Sequence, residues 1–322
     1  MNRLPPEQGE PSAVGNGSNA RAPRVVVVTD STAYLPQEML DKHGIRVVSL
    51  YVNWGNDVSE RESGLDFDAF YARLRSAEQL PTTSQPSIGD FLAVYEPLLE
   101  AGHDVVSVHI SGGISGTVES ARQAAERLAE RDGERRVTVV DSRSAAGGLG
   151  LIVLATAVAA NAGAGAAEVA ERAEEASNNF KMWFAVDTLE YLRRGGRIGA
   201  AQAWLGSALK IKPILTLENE IRPIERVRTG ARARRRLMDY MEQWRDDGAE
   251  AWVVQHTQAP ETARALVEEA EQMMGRPPLW TSEIGPVIGV HAGPGVLGIG
   301  GVPAHVLEPV SAGVASSAGE TA

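Results

Sequence analysis

Short runs of β-branched residues, separated by stretches of helical periodicity, constrain this chain more than any other feature. VVVV (Val25–Val28), IRVVSLYV (Ile45–Val52), the run Asp104–Ile110 and VTVVD (Val137–Asp141) are the apolar runs. Between and beside them lie helical patterns at Pro36–His43, Asp66–Ala77, Ile88–Glu100 and Thr117–Arg131. Strands that are apolar on consecutive positions are buried on both faces, which requires a parallel sheet with helices on either side. Residues 24–176 are therefore expected to form a doubly wound α/β domain.

The second half has a different pattern. KPILTL (Lys212–Leu217) and EIRPIERVR (Glu220–Arg228) flank Glu218-Asn219, a tight turn, and predict an antiparallel hairpin. The strand KMWFAV (Lys181–Val186) precedes it. Helix Ala231–Arg245, strand Ala251–His256, helix Glu261–Met274 and strand Leu279–Glu283 follow. Residues 177–310 are expected to be a second, mixed α/β domain. A length of 322 residues suits two domains. Segments 1–23 and 311–322 lack an apolar core and are expected to be disordered tails.

Composition removes several functions. The net charge of -11 disfavours general nucleic-acid or anionic-membrane binding. With no cysteine there is no disulfide, catalytic thiolate or Cys-ligated metal, and six scattered histidines show no metal-ligand spacing. Ala145–Ala167 lacks charge but is mostly Ala and Gly. Its dense Leu/Ile/Val part is far shorter than the roughly 20 residues a span needs, so a buried helix is expected. With no signal sequence in view, a soluble cytoplasmic protein is expected.

In a parallel sheet, ligands bind beyond the carboxyl ends of the strands. Three polar loops are candidates there: TDST (Thr29–Thr32), PTTSQPS (Pro81–Ser87) and SGGISGT (Ser111–Thr117). The last lacks the lysine of a phosphate loop. A dinucleotide fingerprint would need glycine where Ser111 stands, and a nucleophile elbow would need it where Thr117 stands. Backbone N–H groups at a helix start, with nearby hydroxyls, suit an anion; the same residues also serve as ordinary caps and turns. Downstream, His291 lies among small residues before Gly293-Pro294-Gly295, a setting that projects a ring into a cavity or simply packs it.

Taken together, TDST, PTTSQPS, ISGGISGT, VVDSRSAAGGLGL, LEYLRRGGRIG, KPIL and IGVHAGPG resemble, in order and spacing, the DegV family of bacterial fatty-acid-binding proteins, over about Arg24–Pro309. The resemblance implies a two-domain α/β fold with a long-chain fatty acid in a tunnel. It implies that Thr83, Ser115 and His291 hydrogen-bond the carboxylate, with the Gly116 amide assisting and Ser111 a weaker candidate. It also implies a carrier with no cofactor, metal or catalysis of its own, serving a dihydroxyacetone-kinase-like fatty acid kinase that phosphorylates the bound carboxylate. Where the family carries a second serine in the opening loop this chain has Gly112, so the anion site is expected to hold one hydroxyl fewer. The Ala/Gly-rich helix near Leu149 is expected to border the tunnel.

Two alternatives stay open at this level. Ser115 and His291 could serve a hydrolase, although no orienting carboxylate is visible. The arginines of RVRTGARARRR could bind DNA, which the acidic total and the lack of a helix-turn-helix pattern oppose. Most of these arginines suit a solvated helix face; Arg228, ending the hairpin, is the candidate for partner docking or for meeting the acyl phosphate.

Overall fold

The computed structural model describes residues 24–55, 58–205, 211–246 and 248–309; the two expected tails lie outside the described residues. Four strands form a parallel sheet in the order β2-β1-β6-β7: β1 (Val25–Asp30), β2 (Arg46–Val48), β6 (Asp104–His109) and β7 (Val137–Asp141). Side chains alternate between its faces. Val28, Val48 and Val105 pack under α3 (Ile88–Glu100) and α4 (Thr117–Asp132). Val25, Val27, Val106 and Val108 face α5 (Ala146–Asn161) and α6 (Ala166–Asn179). The short α1 (Gln37–His43) connects β1 to β2.

A second, six-stranded sheet runs β10-β9-β8-β13-β11-β12. Its members are β8 (Lys181–Ala185), β9 (Lys212–Glu218), β10 (Glu220–Val227), β11 (Ala249–His256), β12 (Thr281–Glu283) and β13 (Leu297–Pro303). All pairs are antiparallel except β11 with β12. One face carries α8 (Gly230–Asp246) and α9 (Pro260–Met274), with Leu237, Met241 and Leu266 against Trp252 and Val254. The other face meets α5 through Val253 and Val302.

Helix α5 thus lies between two sheets, which explains a composition without a polar face. Every residue of it except Val158 and Asn161 is buried, as expected of a helix apolar all round. Close approach needs its glycines: a Cβ at Gly150 would lie 2.8 Å from the Ala33 carbonyl and 2.9 Å from Trp280. None of the described helices is long and apolar enough to cross a membrane. The expected division after residue 176 falls near the end of α6, while α5 and α6 themselves pack on both sheets.

Two expectations are corrected. Ile45–Val52 is not one strand: it breaks at Ser49-Leu50, where Ser49 is buried and its hydroxyl takes up the Ser63 N–H. Beyond the break, β3 (Tyr51–Trp54) joins a separate antiparallel sheet, β4-β3-β5, with β4 (Val58–Arg61) and β5 (Thr82–Ser84). Helix α2 (Phe67–Ser76), capped by Asp66, covers it. The expected polar loop PTTSQPS is likewise part strand, β5, and the glycine-rich stretch after His291, where no element was expected, is a central strand, β13. There Gly301 has no room for a Cβ beside the Ala251 carbonyl and the Trp244 ring, so the glycines permit the pairing.

Candidate functional site

A cavity of about 1070 Å³, its mouth included, opens among the three sheets and α10 (Pro286–Ala292). Its body is apolar: Met182, Phe184, Leu217, Val253 and Ile299 from the large sheet, and Val287 and Ile288 from α10. The expected contribution of the Ala/Gly-rich helix comes from Ala145–Gly148 at its start, whereas Leu149 is not part of the wall. Among the described residues Gln255 is the one polar side chain in this region. Its carbonyl accepts the Gly147 N–H and its amide donates to Ser282 Oγ at 2.8 Å, so it caps α5, whose own N-cap residue Ala145 offers no side-chain cap.

The remaining polar lining, Thr83, Ser84, Gln85, Ser115, Arg197 and His291, comes from β5, the loop after β6, α10 and the segment after α7 (Glu190–Arg194). Thr83 Oγ1 lies 2.7 Å from His291 Nε2. Burial, with Arg197 adding to it, lowers the His291 pKa to about 4, so the ring is neutral at pH 7. Its Nδ1 is buried without a partner among the described residues. A buried bare lone pair is more tolerable than a buried unmet N–H, so the proton belongs on Nε2, which donates to Thr83 and leaves the threonine hydrogen free for a ligand oxygen. Ser115 is arranged alike: Thr117 Oγ1 sits 2.8 Å from Ser115 Oγ and the Thr117 N–H approaches it at 3.4 Å. Either hydroxyl of this pair can be the donor; when Thr117 donates, the Ser115 hydrogen is available too.

Thr83 and Ser84 are free for this role because Ser87 caps α3, in a reciprocal box with Asp90. Arg197 is held by its Nε on the Ile114 carbonyl (3.1 Å) and its Nη1 on the Gly195 carbonyl (2.7 Å). It places a positive charge at the polar end and pairs with no carboxylate among the described residues. Arg197, exposed at the cavity mouth, and Gln85 stand inside quoted motifs, and reasoning from sequence gave neither a role. Gly195 was also missed: its would-be Cβ falls on His291 Nδ1, so the glycine makes room for the ring. The doubled glycine of RRGGR is the signal that could have found it.

The other nominated residues lie elsewhere. Ser111 does not border the cavity; its hydroxyl donates to the Asn219 carbonyl at 2.7 Å, tying the loop to the tip of the β9–β10 hairpin. Gly116 precedes α4 and lines an adjoining polar recess that shares Ile114, Ser115, Arg197 and Ile221 with the cavity. Gly112 faces Asp141, whose carboxylate accepts its N–H at 3.2 Å, and a Cβ there would lie 2.8 Å from Asp141 Oδ2. The expected missing hydroxyl is therefore not missing from the anion site. Arg228 is exposed just beyond β10, roughly 20 Å along the strand from the cavity residue Ile221 at about 3.3 Å per residue.

A hydrolase would need a carboxylate on His291 Nδ1 and a serine on its other nitrogen, and neither stands there. A Ser-His-Asp string does exist at Ser107, His109 and Asp30, with Ser107 Oγ 2.6 Å from His109 Nε2 and His109 Nδ1 3.1 Å from Asp30 Oδ2. All three are wholly buried, Tyr95 already donates to Ser107, and none reaches the cavity, so the string is a satisfied core network. Among the described residues no group of three metal-ligating side chains converges.

The comparisons agree with this architecture. A family model described as an uncharacterised protein of the DegV family matches residues 24–304. Protein DegV of Bacillus subtilis is 37% identical over 279 residues, covering 85% of this chain and 98% of the relative. A DegV domain-containing protein of Streptomyces coelicolor is 41% identical, covering 85% of this chain and 97% of its own. Among solved structures, a fatty-acid-binding DegV family protein from Thermus thermophilus superposes with a TM-score of 0.79 at 36% identity, covering 87% of this chain and 99% of its own. DegV of Bacillus subtilis, described as a fatty acid binding protein, gives 0.77 at 35% identity, with 87% and 99% covered. With a family match over most of the chain and relatives covered almost end to end, this chain belongs to the DegV family.

Proposed function

We propose that this chain binds one long-chain fatty acid in the cavity and presents its carboxylate to a fatty acid kinase. The observation that carries the reading is an apolar cavity with a single polar end, where two hydroxyls converge with a guanidinium that meets no carboxylate among the described residues. A carboxylate offers about four acceptor sites and is expensive to bury unmet. Thr83, oriented by His291, and Ser115 supply donors, and Arg197 supplies opposite charge. The tail supplies affinity: a dozen buried methylenes are worth roughly 10 kcal/mol at ~0.8 each, much of it offset by ordering. Relatives described as fatty acid binding proteins support the same ligand.

In this reading the protein is a cytoplasmic carrier, with residues 24–176 and 177–310 as its two halves, and the chemistry belongs to the kinase. The polar recess beside Ser115 and Gly116 is the side from which the head group is reached. Arg197 is placed to meet an acyl phosphate, and Arg228, at the far end of β10, serves as a docking contact for the kinase. Native mass spectrometry of the purified protein, followed by lipid extraction, tests the ligand: a long-chain fatty acid bound one to one is expected. A protein that stays empty after expression and fails to take up palmitate overturns the proposal.

A further inference from the structure

The three-stranded sheet grips α10 at two points, one helical turn apart. From one edge, β5 delivers Thr83 to His291. From the other, the chain leaving β4 delivers Glu62, whose Oε1 accepts the Val287 N–H at 2.8 Å. Val287 and His291 are at i and i+4, neighbours on one helix face, and both line the cavity. Strand β3 joins the two grips in one frame, with Tyr51 opposite Arg61 on β4 and Val52 opposite Thr83 on β5.

Glu62 is only 2% exposed, and among the described residues its carboxylate meets neutral donors: Ser31 Oγ at 2.5 Å, the Tyr34 hydroxyl at 2.8 Å and the Val287 amide. Burying a carboxylate without a counter-ion is unfavourable. What it provides that an apolar side chain does not is a fixed acceptor for the amide one turn before His291. The helix is also seated closely: Gly285 has no room for a Cβ between Tyr34 and Glu62, nor Gly289 beside the Tyr71 hydroxyl. Tyr71 further donates to the Ile284 carbonyl at 2.7 Å.

We infer that Glu62 is a positioning residue: by holding the Val287 amide it sets the Thr83–His291 spacing, and with it the preference of the cavity for a carboxylate head group. The second half of this statement rests on the fatty-acid reading above; the first does not.

The ligand-free protein tests the first half, by NMR of ring-labelled histidine at pH 8. There Glu62, raised by burial to about 7, is ionised and His291, lowered to about 4, is neutral. Glu62→Leu, which leaves the Val287 amide without its acceptor, is expected to move the His291 ring resonances, and Glu62→Gln, which keeps the acceptor, to leave them near the wild-type positions. Resonances that are the same in Glu62→Leu and in the wild type overturn the inference. For the second half, palmitate is compared with hexadecanol. Glu62→Leu is expected to weaken palmitate roughly tenfold, as for one charge-assisted hydrogen bond, and to leave hexadecanol unchanged. Glu62→Gln, which keeps the acceptor, should bind both like the wild type. Equal losses for acid and alcohol would mark a merely structural residue and overturn the assignment. If the wild type takes up neither lipid the fatty-acid reading falls, and the histidine resonances of Glu62→Leu still decide for or against Glu62.

Discussion

Thr83 and His291, 208 positions apart in sequence, meet with Oγ1 and Nε2 2.7 Å apart at the polar end of the cavity. The pair ties the three-stranded sheet to α10, so the head-group site exists only once both have folded onto each other. Because the histidine is neutral and its Nδ1 is bare, its work is to hold the threonine hydroxyl with the hydrogen turned outward. Thr83→Val keeps the shape and removes the hydroxyl. Palmitate affinity is expected to fall roughly 10- to 100-fold, the worth of a hydrogen bond to a charged group, while hexadecanol affinity changes little. Isothermal titration with both ligands checks this, and an equal loss for the two would show that Thr83 serves only the wall.

The glycine pair Gly195-Gly196 separates room from backbone freedom. Gly195 has φ of -74°, which alanine adopts without strain, but its Cβ would occupy the place of His291 Nδ1. Gly196 has φ of +70° and open space around it. Gly195→Ala is therefore expected to displace the ring and lose palmitate binding with a modest effect on folding. Gly196→Ala should reduce stability by about 1 kcal/mol and leave binding intact. Urea unfolding and palmitate titration of the two variants side by side measure both quantities.

Much of the site was legible because two of its ligand-facing residues sit in polar motifs, Ser115 in the loop after β6 and Thr83 in a stretch that pairs as the short strand β5. His291 stood out for the opposite reason, as a lone ring among glycines. What could not be read was direction. Ser111 and Ser115 belong to one loop, yet one hydroxyl turns to Asn219 and the other to the cavity, a difference made by the hairpin tip from the other sheet. Arg197 resembled its neighbours Arg193 and Arg194 in sequence. Those two pair with Glu190, while Arg197, also exposed, is held at the cavity mouth by the Ile114 carbonyl. In the fold, the parallel sheet followed from its β-branched runs. The strand β13 did not, because four glycine and proline residues in seven conceal a strand whose neighbours require small residues.

Two buried groups should shape stability against pH in opposite senses. His291 is lowered from 6.5 to about 4, so the stability it allows is present above pH 6.5 and is lost as pH falls towards 4. Glu62 is raised from 4.5 to about 7, so its contribution is present below pH 4.5 and is lost as pH rises through 7. Each is worth about 3.5 kcal/mol at most, taking ~1.4 per pKa unit. Glu62→Gln is expected to gain stability relative to the wild type between pH 5 and 8, and His291→Gln to flatten the acid limb between pH 6 and 4. Denaturant titrations of the three proteins at unit pH steps show whether each slope changes in the variant named for it.

The buried string Tyr95–Ser107–His109–Asp30 yields the sharpest contrast between chemistry and support. Asp30 also accepts the Ile110 N–H at 2.9 Å and the Thr32 hydroxyl at 2.5 Å, so the string pins the carboxyl ends of β1 and β6 to each other just below the loops that carry the site. None of its atoms reaches the cavity. Ser107→Ala leaves the Tyr95 hydroxyl and a nitrogen of His109 without their partner in the dry core, each a loss of about 1–3 kcal/mol. The variant is expected to unfold at clearly lower urea while palmitate affinity, measured well below the transition, stays within about twofold of the wild type. Ester turnover by the wild-type protein that disappears in Ser107→Ala would instead make the string catalytic, and would require an opening to it that the packing of Phe91 edge-on against the His109 ring closes.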